Sequence, residues 1–228
     1  REHEVRLTGL EPHTKYFYSI GDGDEILAGG DVGHFFLTSP RAGVDSPVHA
    51  WIIGDSGTAN QNARAVYNAY LQEKGDRYTD LWLMLGDNAY TSGKDKEYQR
   101  AVFDLYKELL PQTPLWTTRG NHERSAEVYY GIFTMATKAE AGGIPSGSEA
   151  YYSFDYGNIH FICLDSYDTD RAVDGDVHKW LQAIKLTVNH IVQLNLKFAR
   201  MTAYMIGNAT TAITGTIAGA ALGWFSGF

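Results

Sequence analysis

The chain has 228 residues, 44% apolar and 20% charged, an ordinary globular composition with room for one sizeable core and part of a second domain. A formal net charge of −8 and a pI near 5.4 argue against a nucleic-acid-binding protein, which carries a basic patch or stripe. They do not forbid an anionic substrate, because bound cations reverse the local field of a site.

Residues 1–40 read as β structure. His3-Glu4-Val5-Arg6-Leu7, Lys15-Tyr16-Phe17-Tyr18-Ser19-Ile20 and His34-Phe35-Phe36-Leu37-Thr38 are short runs rich in β-branched or aromatic residues. Gly9, Pro12 and Gly21 to Asp24 punctuate them as turns. Leu7-Thr8-Gly9-Leu10-Glu11-Pro12 followed by Thr14-Lys15-Tyr16-Phe17-Tyr18 resembles the later half of a fibronectin type III domain. Such a sandwich needs about seven strands, so the resemblance implies a partial domain. The first residue is Arg1 rather than Met and no apolar leader follows it, which reads as a removed signal or a missing beginning.

A linker at 41–47 leads into alternating strands and helices. Strands are expected at His49–Ile53, Leu81–Leu85, Leu115–Thr118 and Asn158–Asp165. Ala63, Val66, Tyr67, Tyr70 and Leu71 mark one helix face, and Tyr98, Val102, Leu105, Tyr106 and Leu109 a second, which Pro111 stops. This alternation predicts an α/β domain with helices packed on a sheet. The lone cysteine, Cys163, sits in an apolar run and reads as a small buried hydrophobe.

Composition breaks near residue 183. All 27 acidic residues precede it, where about five would be expected after it. From Met201 onward there is no charge, and Gly215, Gly219 and Gly223 repeat a spacing suited to close helix contact. Residues 201–228 are long enough to span a bilayer, but their Thr, Gly and Asn content makes that the less favoured reading beside a poorly ordered tail.

Three motifs follow three of the predicted strands: Gly54-Asp55-Ser56-Gly57, Gly86-Asp87-Asn88-Ala89-Tyr90 and Gly120-Asn121-His122-Glu123. Ligands bind at the carboxyl edge of open α/β sheets, and each leading glycine permits a sharp turn there. Asp55 and Asp87 offer carboxylates, Tyr90 a phenol, Asn121 an amide oxygen and His122 an imidazole. An oxygen-rich set without cysteine favours iron, manganese, zinc or magnesium.

That ordered trio resembles the purple acid phosphatases, a branch of the calcineurin-like metallophosphoesterases, in which the tyrosine of the second motif is the distinguishing feature. Tyr151-Tyr152-Ser153-Phe154-Asp155-Tyr156-Gly157-Asn158-Ile159-His160-Phe161, running into Leu164-Asp165-Ser166, looks like the family's next strand. The resemblance covers roughly residues 1–182. It implies a metallophosphoesterase-type sheet and helix core at 48–182, preceded by the fibronectin-like β segment at 1–40 and followed by an atypical tail at 183–228. It further implies hydrolysis of small-molecule phosphate monoesters at a dinuclear centre, with an acidic optimum and a secreted or periplasmic location. Asp55, Asp87 and Tyr90 would bind Fe(III). Asp87 would bridge to a second metal (Zn, Mn or Fe) that Asn121 also holds. His122 would contact the phosphate and help the alkoxide leave, and Glu123 would orient its neighbours.

The family closes its site with a VxxH histidine and a GHxH pair, and this chain has neither after Asp165. His178 and His190, the later histidines, lie in the wrong sequence context to replace them. The expectation is therefore little or no turnover by this chain. The alternatives are a phosphodiesterase or nucleotidase of the same superfamily, or an inactive remnant that binds metal weakly.

Overall fold

The computed structural model describes residues 3–194 and 201–206, with side-chain surroundings for residues 3–185. Its first 40 residues form two antiparallel ribbons. β1 (Lys15–Phe17) pairs with β4 (Phe35–Leu37), and β2 (Ser19–Gly21) with β3 (Ile26–Gly29). The predicted run Lys15–Ile20 breaks at Tyr18, whose N–H turns to His34 O at 3.1 Å. The expected strand at His3–Leu7 does not form. Val5 is 78% exposed and Leu7 56%, and no described strand lies beside them to supply a ladder.

The core begins with a parallel sheet in the order β5 (Ala50–Ile53), β6 (Leu81–Met84), β7 (Leu115–Thr117). The central strand, Leu81-Trp82-Leu83-Met84, is at most 1% exposed, as a parallel strand covered on both faces should be. α1 (Gln61–Lys74) crosses between β5 and β6. Asn60 caps it by accepting from Ala63 N at 3.0 Å, and Gly75, at φ +53, ends it.

The register sets Trp51 beside Trp82, and on that face an aromatic cluster forms. Tyr70 of α1 stacks on Trp51 at 4.2 Å between ring centroids, and Tyr106 meets the ring of Trp82 edge-on at 4.7 Å. Tyr106 belongs to the second predicted helix, which departs from its expected form. α2 (Asp95–Tyr98) is a single turn that widens into a π-helical run at Gln99–Asp104. The wider turn keeps Tyr98, Ala101, Val102, Leu105 and Tyr106 all facing the sheet. After β7 comes the short α3 (Ala126–Tyr130).

The stretch expected as one further strand is a hairpin. β8 (Tyr152–Tyr156) and β9 (Ile159–Leu164) pair antiparallel across Gly157-Asn158, with Gly157 at φ +59. α4 (Asp176–Leu194) then leads to β10 (Met201–Ile206), which pairs parallel with β9. The compositional break at 183 thus falls inside a helix. This second sheet packs on the first: Trp116 stacks on Phe154 with centroids 3.7 Å apart, and Tyr152 Oη donates to Thr117 O at 2.8 Å.

Among the described residues no helix is long and apolar enough to cross a membrane. The membrane-helix reading of 201–228 meets a strand at Met201–Ile206, and its remainder lies outside the described residues.

Candidate metal centre

All three motifs lie at the carboxyl ends of β5, β6 and β7, and backbone hydrogen bonds stitch the first two together. Asp55 N donates to Gly86 O at 3.1 Å, Gly57 N to Asp87 O at 3.0 Å, and Tyr90 N to Gly57 O at 2.9 Å. The close approach explains two glycines. A Cβ on Gly57 would sit 2.3 Å from Ala89 N, and one on Gly120 would sit 2.3 Å from both Asp87 N and Asp87 Oδ1. The aspartates share the sharp turning that the sequence assigns to their preceding glycines. Asp55 at φ +53 and Asp87 at φ +54 both occupy the left-handed region, where aspartate is among the better-tolerated side chains. Strain of this kind clusters at functional sites.

The consequence is convergence of oxygen atoms. Tyr90 Oη donates to Asp55 Oδ1 at 3.0 Å and to Asp87 Oδ2 at 2.9 Å. Burial, then the hydrogen bonds and charges of the two carboxylates, push the Tyr90 phenol far above its ordinary value. Asp55 is also raised, by burial and the Asp87 charge, against the lowering effect of the Tyr90 hydrogen bond. A bound cation would reverse both shifts. Two carboxylates and a phenol suit a hard, highly charged cation. Among the described residues no three His, Cys, Asp or Glu side chains converge to hold a metal, so the third donor of this set is Tyr90.

The third motif braces the second. Glu123 is wholly buried. Its Oε2 accepts from Asp87 N at 2.9 Å and Gly120 N at 2.7 Å, and its Oε1 from Asn88 N at 2.5 Å and Ala89 N at 3.1 Å. Burial raises its carboxyl against these four donors. The expectation that Glu123 orients its neighbours fits this geometry.

His122 N donates to Asp87 Oδ1 at 3.0 Å, and its ring lies 4.4 Å from that of Tyr90. Nδ1 lies 2.9 Å from Thr91 O. A carbonyl only accepts, so Nδ1 carries the proton and Nε2 is left for other work. Asn121 is exposed on the same loop, between Gly120 and His122.

Among the described residues no other histidine joins this group. His178 is half-buried, with Nδ1 against Val173 O and Nε2 2.9 Å from Gln182 Nε2. His160 is buried and pairs with Asp155 at 2.7 Å within the β8–β9 hairpin. The side chain of His190 lies outside the described residues.

Two supporting residues escaped the sequence reading. Glu97 accepts from the N–H groups of Thr91, Ser92 and Lys94 at 2.8, 3.1 and 2.8 Å, shaping the loop that receives His122. Its position three residues after Lys94, at the start of a helix, was the available signal. Arg119 is buried between the strand end and Gly120; a charge closing the run Leu115-Trp116-Thr117-Thr118 was the corresponding hint.

A family model described as calcineurin-like phosphoesterase matches residues 48–209. Over 215 residues the chain is 29% identical to purple acid phosphatase 15 of Arabidopsis thaliana, covering 79% of this chain and 37% of that protein. It is likewise 29% identical over 188 residues to purple acid phosphatase 21 of the same plant, covering 79% and 39%. Its fold is similar to that of a purple acid phosphatase from yellow lupin (Lupinus luteus) seeds, with a TM-score of 0.59 at 16% identity over 87% of this chain and 37% of that one. The chain therefore spans less than two fifths of the length of these relatives.

Proposed function

The chain belongs to the calcineurin-like phosphoesterase family, and we propose that its site is that of a purple acid phosphatase-like enzyme acting on phosphate monoesters at a dinuclear centre. The observation that carries this reading is the oxygen triad. Tyr90 Oη lies within 3.0 Å of both Asp55 and Asp87, and a phenol in that place is what a ferric ion would select. In this reading Asp55, Asp87 and Tyr90 hold Fe(III). Asp87 and Asn121 hold a second divalent ion, Zn, Mn or Fe. Such a pair, when bound, supplies Lewis-acid charge to the phosphoryl oxygens and makes water acidic enough to attack.

The protein's own residues do the rest. Two turns with positive φ aim Asp55 and Asp87 at one point. Glu123 keeps the second and third loops at fixed separation through four N–H donors. Thr91 O holds one proton of His122 on Nδ1, so Nε2 is the atom that contacts the ester phosphate; in the doubly protonated ring it passes its proton to the departing alkoxide oxygen and is left as the neutral Nδ1–H form. A small phosphate ester is the substrate class, and a secreted or periplasmic location accompanies the family resemblance. The same resemblance divides the chain into a fibronectin type III-like segment at 1–40, a core at 48–182 and a tail at 183–228.

A second reading, a weak metal binder with little turnover, is favoured by one observation. His178, a candidate replacement for the family's missing histidines, is bonded at the start of its own helix. One experiment separates the readings. Purified chain loaded with Fe(III) and Zn is expected to show a broad visible band that Tyr90→Phe abolishes, and its hydrolysis of an aryl phosphate is then assayed. A colourless ferric-loaded parent would sink the purple acid phosphatase reading. A coloured parent without turnover would establish the weak binder.

A further inference from the structure

Arg119 stands where the two sheets meet. It is 5% exposed and lies between Thr118, the residue after β7, and Gly120. Its Nε donates to Glu123 O at 3.0 Å, and its NH1 donates to Asp168 Oδ2 at 2.9 Å. The guanidinium lies over the Tyr167 ring, 5.4 Å from its centroid. Asp168 and Tyr167 belong to the loop that follows β9, and Asp165 shapes that loop by accepting from Tyr167 N at 2.7 Å, Asp168 N at 3.2 Å and Thr169 Oγ1 at 3.0 Å. A single planar side chain therefore reaches from the second sheet's loop to the first sheet's third motif.

Glu123 is gripped at both ends. Its carboxylate collects four N–H groups from the second and third loops, while its carbonyl is taken by Arg119. The short segment Gly120-Asn121-His122-Glu123 closes back on Arg119 itself, because Nε and the accepting carbonyl are four residues apart. We infer that Arg119 is a positioning residue: held by Asp168 and Tyr167, it fixes the Gly120–Glu123 turn and so seats the His122 N–H on Asp87 Oδ1. It touches neither substrate nor metal. The fork is what matters, because two donors of one rigid plane serve two partners on loops that follow strands of different sheets. A lysine has the charge but reaches only one of them.

The placement of the turn stands on the contacts alone; its effect on metal binding rests on the phosphatase reading. The test therefore has two arms, run on the full 228-residue chain as Arg119→Gln, Arg119→Lys and Asp168→Asn. The first arm is amide hydrogen exchange. We expect Arg119→Gln to speed exchange at Asp87, Asn88, Ala89 and Gly120 about tenfold or more, with β6 unchanged. Asp168→Asn should affect the same amides less, and Arg119→Lys should restore only part of the protection. Asp168 is 66% exposed, so its variant folds even if the arginine variants do not. The second arm is Zn or Mn affinity of ferric-loaded chain, expected to fall about 10–100-fold in Arg119→Gln with the Tyr90 visible band retained. Unchanged exchange at the four amides, or equal acceleration through β6, would overturn the inference. A parent that binds no metal would overturn the phosphatase reading and leave the exchange arm to decide on Arg119.

Discussion

The two halves of this molecule use similar residues in different ways. In the N-terminal ribbons Phe17, Ile20, Ile26 and Leu27 are 57–67% exposed, whereas Trp82, Met84, Tyr98 and Val102 of the core are wholly buried. The difference lies in how many faces each sheet has covered. A parallel strand such as β6 has α1 and the π-helical run on one side and the second sheet on the other, so each side chain finds a partner. A two-stranded ribbon has one face at most against the protein and is marginal alone. The ribbons are instead tied down at points: Tyr18 Oη donates to Pro111 O at 2.9 Å, and Tyr78 Oη donates to Gln112 O at 2.5 Å while accepting from Leu37 N at 3.3 Å. The three motif loops sit on the buried core, and the close backbone contacts at Gly57 and Gly120 require its rigidity.

The largest expected contrast is between two aromatic truncations. Trp82→Ala removes a wholly buried member of the aromatic cluster and should cost about 3–5 kcal/mol in urea unfolding. Phe17→Ala, on an exposed ring, should stay within about 0.5 kcal/mol. Comparable losses would mean that the ribbon carries core-like packing.

A smaller effect probes the tethers. Tyr78→Phe deletes both hydroxyl bonds, for about 1.5 kcal/mol, and should act locally. We expect limited proteolysis between residues 15 and 37 to accelerate while the unfolding midpoint of the core moves little. Equal sensitivity of both halves would make them one cooperative unit.

The smallest effect concerns a loop of the core held by a side chain. Burial raises the Glu97 carboxyl, but the N–H groups of Lys94, Thr91 and Ser92 more than offset this, leaving it below its ordinary value. The folded state then binds that proton more weakly than the unfolded chain. Its stabilisation is full above the ordinary carboxylate range and is lost as the pH falls through the depressed value. Glu97→Gln should cost about 1 kcal/mol at neutral pH and flatten the loss of stability on the acid side. An unchanged acid limb would show that the Thr91–Lys94 loop does not depend on this carboxylate.

Local pattern was enough to find the site's loops and most of the core. Strand after strand ended in glycine and a polar residue, and β5, β6, β7 and β9 formed within a residue or two of expectation. Helical spacing identified which faces of 63–71 and 98–109 are buried, apart from Val66, which is 50% exposed at the edge of the first face. It could not show that the second of these widens into a π-helical run, since the same inward residues serve either geometry. β3 (Ile26–Gly29) escaped the sequence reading, and so did β8 as a strand separate from β9.

By itself the sequence determined the chemistry available: two carboxylates, a phenol, an amide and an imidazole at three strand ends, with no VxxH or GHxH histidines to follow. Residue type and strand periodicity are local properties, and they are written in the chain. Only the tertiary structure decided which atoms meet. It turned Asp55 and Asp87 through left-handed backbone toward Tyr90, fixed the His122 proton on Nδ1, and set Glu123 to collect four N–H groups. It also brought Arg119 to Asp168 from 49 residues away. Such contacts join residues far apart in the chain, and they depend on how two sheets pack, which no local pattern encodes.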